Sequence, residues 1–163
     1  MTVISTTPNT ATLTMTIVAD LAAPPQRTWQ LWADPRQLER WWGPPTWPAT
    51  FERHDLAVGG KSSYYMTGPD GEKVRGWWRF LSIDEPRSLE FEDGFADAAG
   101  DPDLTMPLTL GRVDLLATAG GTRMTVTSTF ASLEQMEQLV AMGMVEGMTD
   151  AMGQIDAILA AAA

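Results

Sequence analysis

The chain has no cysteine and a single histidine, His54, in 163 residues. The missing cysteines exclude a disulfide scaffold, a thiolate metal site and a cysteine nucleophile. One imidazole is too few for a histidine-based zinc site, and it restricts any Ser-His-Asp arrangement to that one ring. Basic residues are scarce: 11 Lys and Arg face 21 Asp and Glu, for a formal net charge of −10. Such a balance repels nucleic-acid phosphates and anionic membrane surfaces. No apolar run approaches the roughly 20 residues that span a bilayer, so membrane insertion is not expected. No basic residue precedes Arg27, which leaves the start without the charged segment of a secretory signal. The expected location is cytoplasmic.

Hydrophobic residues make up 44% and charged residues 20% of the chain, a composition that builds a core. The length fits one domain better than two. Residues 1–10 are small and polar and read as a disordered lead-in, with a single domain over 11–160. The segment from Asp84 to Asp103 carries eight acidic residues and one basic residue, Arg87. Its spacing lacks the alternating oxygens and central glycine of a calcium loop. The stretch 93–103 reads as a solvated loop, with a flap over a pocket as the functional alternative.

Residues Thr12 to Ala19 alternate, with Leu13, Met15 and Ile17 on one face, and predict a strand. Pro24 and Pro25 suit the first turn of a helix reaching about Ala33. Asp34 caps a second short helix that Gly43-Pro44 ends. From Thr50 to Phe130 six further strand patterns follow, at 50–57, 61–67, 73–83, 88–93, 106–118 and 122–130. Gly59-Gly60, Gly68-Pro69-Asp70-Gly71, Asp84-Glu85-Pro86 and Gly120-Gly121 punctuate them as turns. Ser132, with Gln135 in the capping-box position, opens a long helix expected over Leu133–Leu159. The predicted fold is α+β: a curved antiparallel sheet of about seven strands wrapped around one long C-terminal helix, with two short helices between strands 1 and 2.

Four stretches carry a resemblance. They are TWQLWADPRQLERWWGP (28–44), the Gly-Gly of AVGGKSSYYM, the Pro-Asp-Gly turn, and GGTRMTVTSTFASLEQMEQLVAMGMVEGM near the end. Together they resemble the SRPBCC superfamily, also called START-like or helix-grip, in the branch of the activator of heat-shock protein 90 ATPase homologues. The likeness covers about residues 12–159. The family's turn proline is matched at Pro86, without the usual double-proline form, and Met148 stands where tryptophan is common. The resemblance implies a cavity between the sheet and the terminal helix, where relatives bind lipids, polyketides or aromatic compounds. Some relatives are cyclases or hydratases, and the co-chaperone namesake offers a protein-interaction module as a further alternative.

The residues themselves single out the walls of such a cavity. Gly143, Gly147 and Ala151 form a small-residue stripe on the C-terminal helix, suited either to close packing or to a ligand beside the helix. Met136, Met142, Met144, Met148 and Met152 lie on the same helix, as core filler or as an adaptable surface. All seven tryptophans fall between Trp29 and Trp78. Alternation puts Trp78 with Phe80, and Tyr64 with Met66, on faces expected to look at the helix. Phe91 joins them, and Gly143, Met144, Gly147 and Ala151 stand opposite. Trp32 and Trp41 read as core. Trp42 and Trp47, beside prolines, read as a pocket mouth. Regular alternation places His54 with Glu52 and Leu56, away from Asp55, so no base-plus-orienter pair forms across one face. His54 is either bonded to backbone or solvent or, with Tyr64 and with Arg79 or Arg112, an orienting group for a ligand. Trp47 and Trp77 are the residues a protein-docking patch would expose.

The reading is a binder of a small, mainly apolar molecule, acting as carrier or sensor rather than catalyst. It needs no metal or cofactor, and the chain is expected as a monomer or a homodimer. The alternative is a cyclase, aromatase or hydratase in the same cavity, using His54 or Tyr64.

Overall fold

Alternation of buried and exposed side chains carries most of the chain into one sheet, and the computed structural model describes residues 3–161. Eight strands form it: β1 (Val3–Asn9), β2 (Thr14–Leu21), β3 (Ala49–His54), β4 (Lys61–Thr67), β5 (Lys73–Asp84), β6 (Ser88–Ala96), β7 (Thr109–Thr118) and β8 (Gly121–Phe130). All neighbours are antiparallel, in the order β1-β2-β8-β7-β6-β5-β4-β3. Register shifts at Val3/Ser5, Phe51/Arg53 and Phe80/Ser82 bend the strands and help to curve the sheet.

The eighth strand corrects the sequence expectation. Val3–Asn9 is not a disordered lead-in; it pairs with β2 across the sheet edge. Backbone pairing to an existing strand orders a segment whose own composition offers little to bury. Residues 1 and 2 lie outside the described residues, as do 162 and 163 of the alanine-rich end.

Helices α1 (Pro25–Ala33) and α2 (Pro35–Leu38) carry the chain from β2 to the far edge, where β3 begins. Pro25 occupies the first helical turn of α1, and the Asp34 side chain accepts from the Arg36 backbone N–H at 2.9 Å to start α2. Trp29, Leu31, Trp32, Leu38 and Trp41 are all at most 1% exposed, so this crossing is core rather than connector.

The C-terminal segment is the long helical element expected against the sheet, but the span from Leu133 to Leu159 is interrupted at 142–143 and at 153–154. It comprises α3 (Leu133–Ala141), α4 (Met144–Met152) and α5 (Ile155–Ala161). The Ser132 hydroxyl accepts from the Gln135 N–H at 3.1 Å, as the capping pattern predicts. Gly143 then takes φ +89°, a left-handed conformation that side chains rarely adopt, and it ends α3 and turns the chain into α4. At the second break Gln154 Nε2 donates to the Gly43 carbonyl at 2.7 Å. That bond ties the α4–α5 junction to the Trp-Trp-Gly-Pro segment.

Two apolar clusters result. The larger joins α1, α2, the middle of the sheet and α5; the smaller groups Met15, Phe130, Met136 and Leu139 under α3. They do not fuse completely, and the space between them is the site described next.

Candidate functional site

A cavity of about 360 Å³ opens between the concave face of the sheet and the α3–α4 segment. Its size lies in the range of small-molecule sites. Trp42, Tyr64, Met66 and Phe91 line it from one cluster, Leu139, Met144 and Phe95 from the other. Half-exposed Met142 and Val74, with Pro44 and Trp47, mark where it meets solvent.

Gly147 explains the space. It lies inside α4, and a Cβ built on it meets no atom within 4 Å. The glycine is therefore not there for close packing against the sheet, and the roughly 1 kcal/mol it costs a helix interior leaves room beside the helix. Gly143 and Gly147 both line the cavity; Ala151, one turn further, is fully buried instead. Three of the five methionines on this segment, Met142, Met144 and Met148, face the space, while Met136 and Met152 pack in the two cores.

The polar floor comes from register. Cross-strand neighbours place Trp78, Asp93 and Thr109 in one row over β5, β6 and β7. In the adjacent row Tyr64 pairs with Gly76. A Cβ on Gly76 would collide with the Tyr64 ring. The bare glycine thus lets the tyrosine lie across β5 and bring its hydroxyl to Asp93, where it donates to Oδ1 at 3.3 Å. The indole N–H groups of Trp42 and Trp78 are buried without a hydrogen-bond partner among the described residues. Both approach the pair closely enough to favour the ionised phenol, and Trp78 favours the ionised carboxyl.

Burial dominates the electrostatics. It pushes the Asp93 carboxyl up to about 7, with the Tyr64 and Trp78 donors pulling only partly the other way. Burial and the nearby Asp93 charge push the Tyr64 hydroxyl well above its ordinary value, so it stays protonated. The floor is therefore a phenol donor beside a carboxyl that exchanges its proton near neutral pH.

This carries a stability consequence. In the unfolded chain an aspartate titrates at about 3.9. Because the folded carboxyl holds its proton more tightly, its contribution is full below that value and is lost as pH rises towards 7. Asp93→Asn removes the titration. It is expected to match wild type near pH 4 and to be more stable at pH 8, by about 2–4 kcal/mol or roughly 5–10 °C in Tm. Thermal melts of both proteins across pH 4–8 check this; a constant difference would contradict it.

The remaining sequence candidates lie elsewhere. Of the expected wall residues, Trp42, Tyr64, Met66, Phe91, Gly143, Met144 and Gly147 line the cavity; His54, Trp78, Phe80 and Ala151 do not. Trp78 and Phe80 face inward as alternation requires, but other rings cover them: Phe91 stacks on Trp78 at 4.3 Å and Trp42 meets it edge-on at 4.7 Å. His54 sits in that packed layer. Its Nε2 donates to the Trp32 carbonyl at 2.8 Å and its Nδ1 accepts from the Ser62 hydroxyl at 2.7 Å, which leaves no free ring nitrogen. Burial lowers its pKa, offset in part by the Trp32 carbonyl, Asp55 and Asp34. Strict alternation would separate His54 from the Phe51 face. The extra residue at the Phe51/Arg53 bulge puts both rings inside, 5.8 Å apart. Arg79 and Arg112 are exposed and paired with Glu92, and with Glu90 and Asp114. Trp77 lies half-buried over Gly94, its N–H donating to the Phe95 carbonyl at 3.0 Å, and Trp47 lines the cavity rim, so neither forms an exposed docking patch.

Sequence reasoning missed Asp93 by assigning it to the acidic loop. The signal was present: Leu89, Phe91, Asp93 and Phe95 alternate with Glu90, Glu92 and Gly94, which places Asp93 on the inner face of β6.

Residues 22–160 match the family model described as Activator of Hsp90 ATPase homolog 1-like protein. A solution structure of a protein from Arthrobacter aurescens is 55% identical, with TM-score 0.94, over 98% of this chain and 92% of its own. A crystal structure of a protein from Mycobacterium smegmatis is 48% identical, with TM-score 0.89, over 96% of both chains. A third, from Rhodobacter sphaeroides, is 26% identical, with TM-score 0.82, over 96% of this chain and 98% of its own. No curated protein matches the chain. With a family model spanning most of its length and two structural relatives near half identical throughout, the chain belongs to the activator of Hsp90 ATPase homolog 1-like family, within the SRPBCC superfamily.

Proposed function

We propose that this protein binds a small, mainly apolar molecule in the cavity between sheet and C-terminal helices, as a carrier or sensor. The observation that carries the reading is the unfilled volume itself. About 360 Å³ is walled by Trp42, Met66, Phe91, Phe95, Met144 and Met148 and open at the Pro44–Trp47 side, beside a helical glycine whose missing side chain would otherwise fill part of it. Apolar contact supplies affinity, and the Tyr64–Asp93 pair orients one polar end of the guest. The methionine-rich wall adapts to guests of different outline.

The same pair supports a second reading. A carboxyl titrating near 7 beside a phenol donor can hold and return a proton during a cyclisation or hydration. Binding is the more economical function because both readings require it and only one requires chemistry.

The test is a titration with N-phenyl-1-naphthylamine, a neutral apolar dye that brightens in dry surroundings. The expected result is saturable one-to-one binding with energy transfer from tryptophan, since Trp42 and Trp47 line the cavity. A flat response up to the dye's solubility would contradict an accessible apolar site.

A further inference from the structure

We propose that the guest of this cavity is an amine: an apolar molecule whose ammonium group pairs with the carboxylate of Asp93. The inference rests on the binding reading above and adds the charge of the ligand to it.

Asp93 is the one carboxylate among the cavity-lining residues. No cation faces it. From β5 the only charged lining residue is Arg75, whose guanidinium pairs with Glu52 at 2.9 Å and lies over the Tyr65 ring at 5.1 Å. From β7 and β8 the polar neighbours are Thr109 and Ser128, and α3 and α4 present methionines and Leu139, all uncharged. The titratable group facing Asp93 is Tyr64, which stays neutral. A carboxylate held by one long phenol hydrogen bond and the approach of one indole is poorly compensated for its lost hydration.

An ammonium group supplies what is missing. It brings the opposite charge and three donors to a carboxylate with unused acceptor capacity. The surroundings favour a cation as well. The Trp42 and Tyr64 rings line the cavity with Asp93, their centroids 6.3 Å apart, and aromatic faces attract cations. The chain's formal charge of −10 favours cations over anions in the approach to the mouth. Where Asp93 is protonated before binding, its proton leaves to solvent as the ammonium enters. A neutral guest leaves that proton in place, and a carboxylate guest meets a like charge.

Three probes with one phenylethyl tail separate these cases: 2-phenylethylamine, 2-phenylethanol and 3-phenylpropanoate, each titrated calorimetrically into the full chain at pH 8. The amine is expected to bind at least tenfold more tightly than the alcohol, and the propanoate at least tenfold more weakly. Amine affinity should rise nearly tenfold per pH unit below about 6.5 and level off above about 7.5, as Asp93 loses its proton near 7. Asp93→Asn, which is expected to melt no lower than wild type at pH 8, should bring amine and alcohol within about threefold of each other. An alcohol as tight as the amine, an amine preference that survives Asp93→Asn, or no amine binding where the dye binds overturns the amine inference and leaves the cavity reading standing. No binding of dye or of any of the three probes overturns both.

Discussion

Gly147→Phe is expected to abolish binding of the naphthyl dye, weakening it at least 100-fold, while the protein stays folded. The position combines two properties that rarely coincide. Its backbone is ordinary helix, so any L residue fits there, and its absent Cβ points into space with no neighbour within 4 Å. A benzyl group occupies the volume a guest needs without displacing the core. Phenylalanine is a slightly better helix residue than glycine, so stability should hold or rise. Gly147→Ala is the companion. It should raise stability by up to about 1 kcal/mol, roughly 2–4 °C in Tm, and leave most of the volume open. Dye titration and thermal melts of the two variants read both effects. A Phe variant that binds as wild type would place the dye outside the cavity, and a Phe variant that unfolds would show the space is smaller than it is here.

Trp78→Ala has the largest expected effect on stability, about 3–5 kcal/mol. Trp78 is fully buried, and its ring touches more aromatic partners than any other side chain described: Trp32, Trp42, Phe51, His54, Tyr64, Phe80 and Phe91. Deleting it forfeits the burial of a large ring and leaves a void that rigid neighbours cannot close. The loss is mainly one of packing, because the ring lies beneath the cavity wall and its N–H has no hydrogen-bond partner among the described residues. Urea denaturation should show a midpoint lowered by 1 M or more at an unchanged slope, taking roughly 2–3 kcal/mol/M for a chain of this size. A shift under 1 kcal/mol would mean the layer repacks freely, at odds with its dense edge-to-face contacts.

Much of the architecture was legible in the sequence because its signals are local. Alternation marked seven of the eight strands, prolines and Asp34 marked α1 and α2, and Ser132 marked the start of the C-terminal helices. What escaped depends on partners distant in sequence. Val3–Asn9 becomes a strand only because β2 offers it an edge. The helix breaks at Gly143 and near Gly153 were read as a continuous apolar stripe, since the stripe persists through a break when both halves face one core. The site followed the same division. The sequence left Gly147 and Met144 open between packing and space beside the helix; the structure puts both on the cavity wall, with nothing within 4 Å of a Cβ built on Gly147. Whether an inward ring lines a cavity or lies beneath another ring is decided by packing, which is why Trp78 and Phe80 fell behind the wall. Asp93 was obscured by its acidic neighbours, although β6 alternation points it inward. The bulge in β3 that turns His54 into the aromatic layer has no sequence mark at all.

The most direct measurement is a methyl NMR titration of protein labelled at methionine Cε, with N-phenyl-1-naphthylamine as guest. The ten methionines sample the molecule unevenly, which makes them a built-in map. Met66, Met142, Met144 and Met148 line the cavity, whereas Met15, Met124, Met136 and Met152 are packed in the two cores. A guest between sheet and helix shifts the first four methyls together, saturably and with one dissociation constant, and leaves Met15 and Met124 nearly unmoved. Saturable shifts confined to other methyls, or none where the dye is bound, would contradict an internal site.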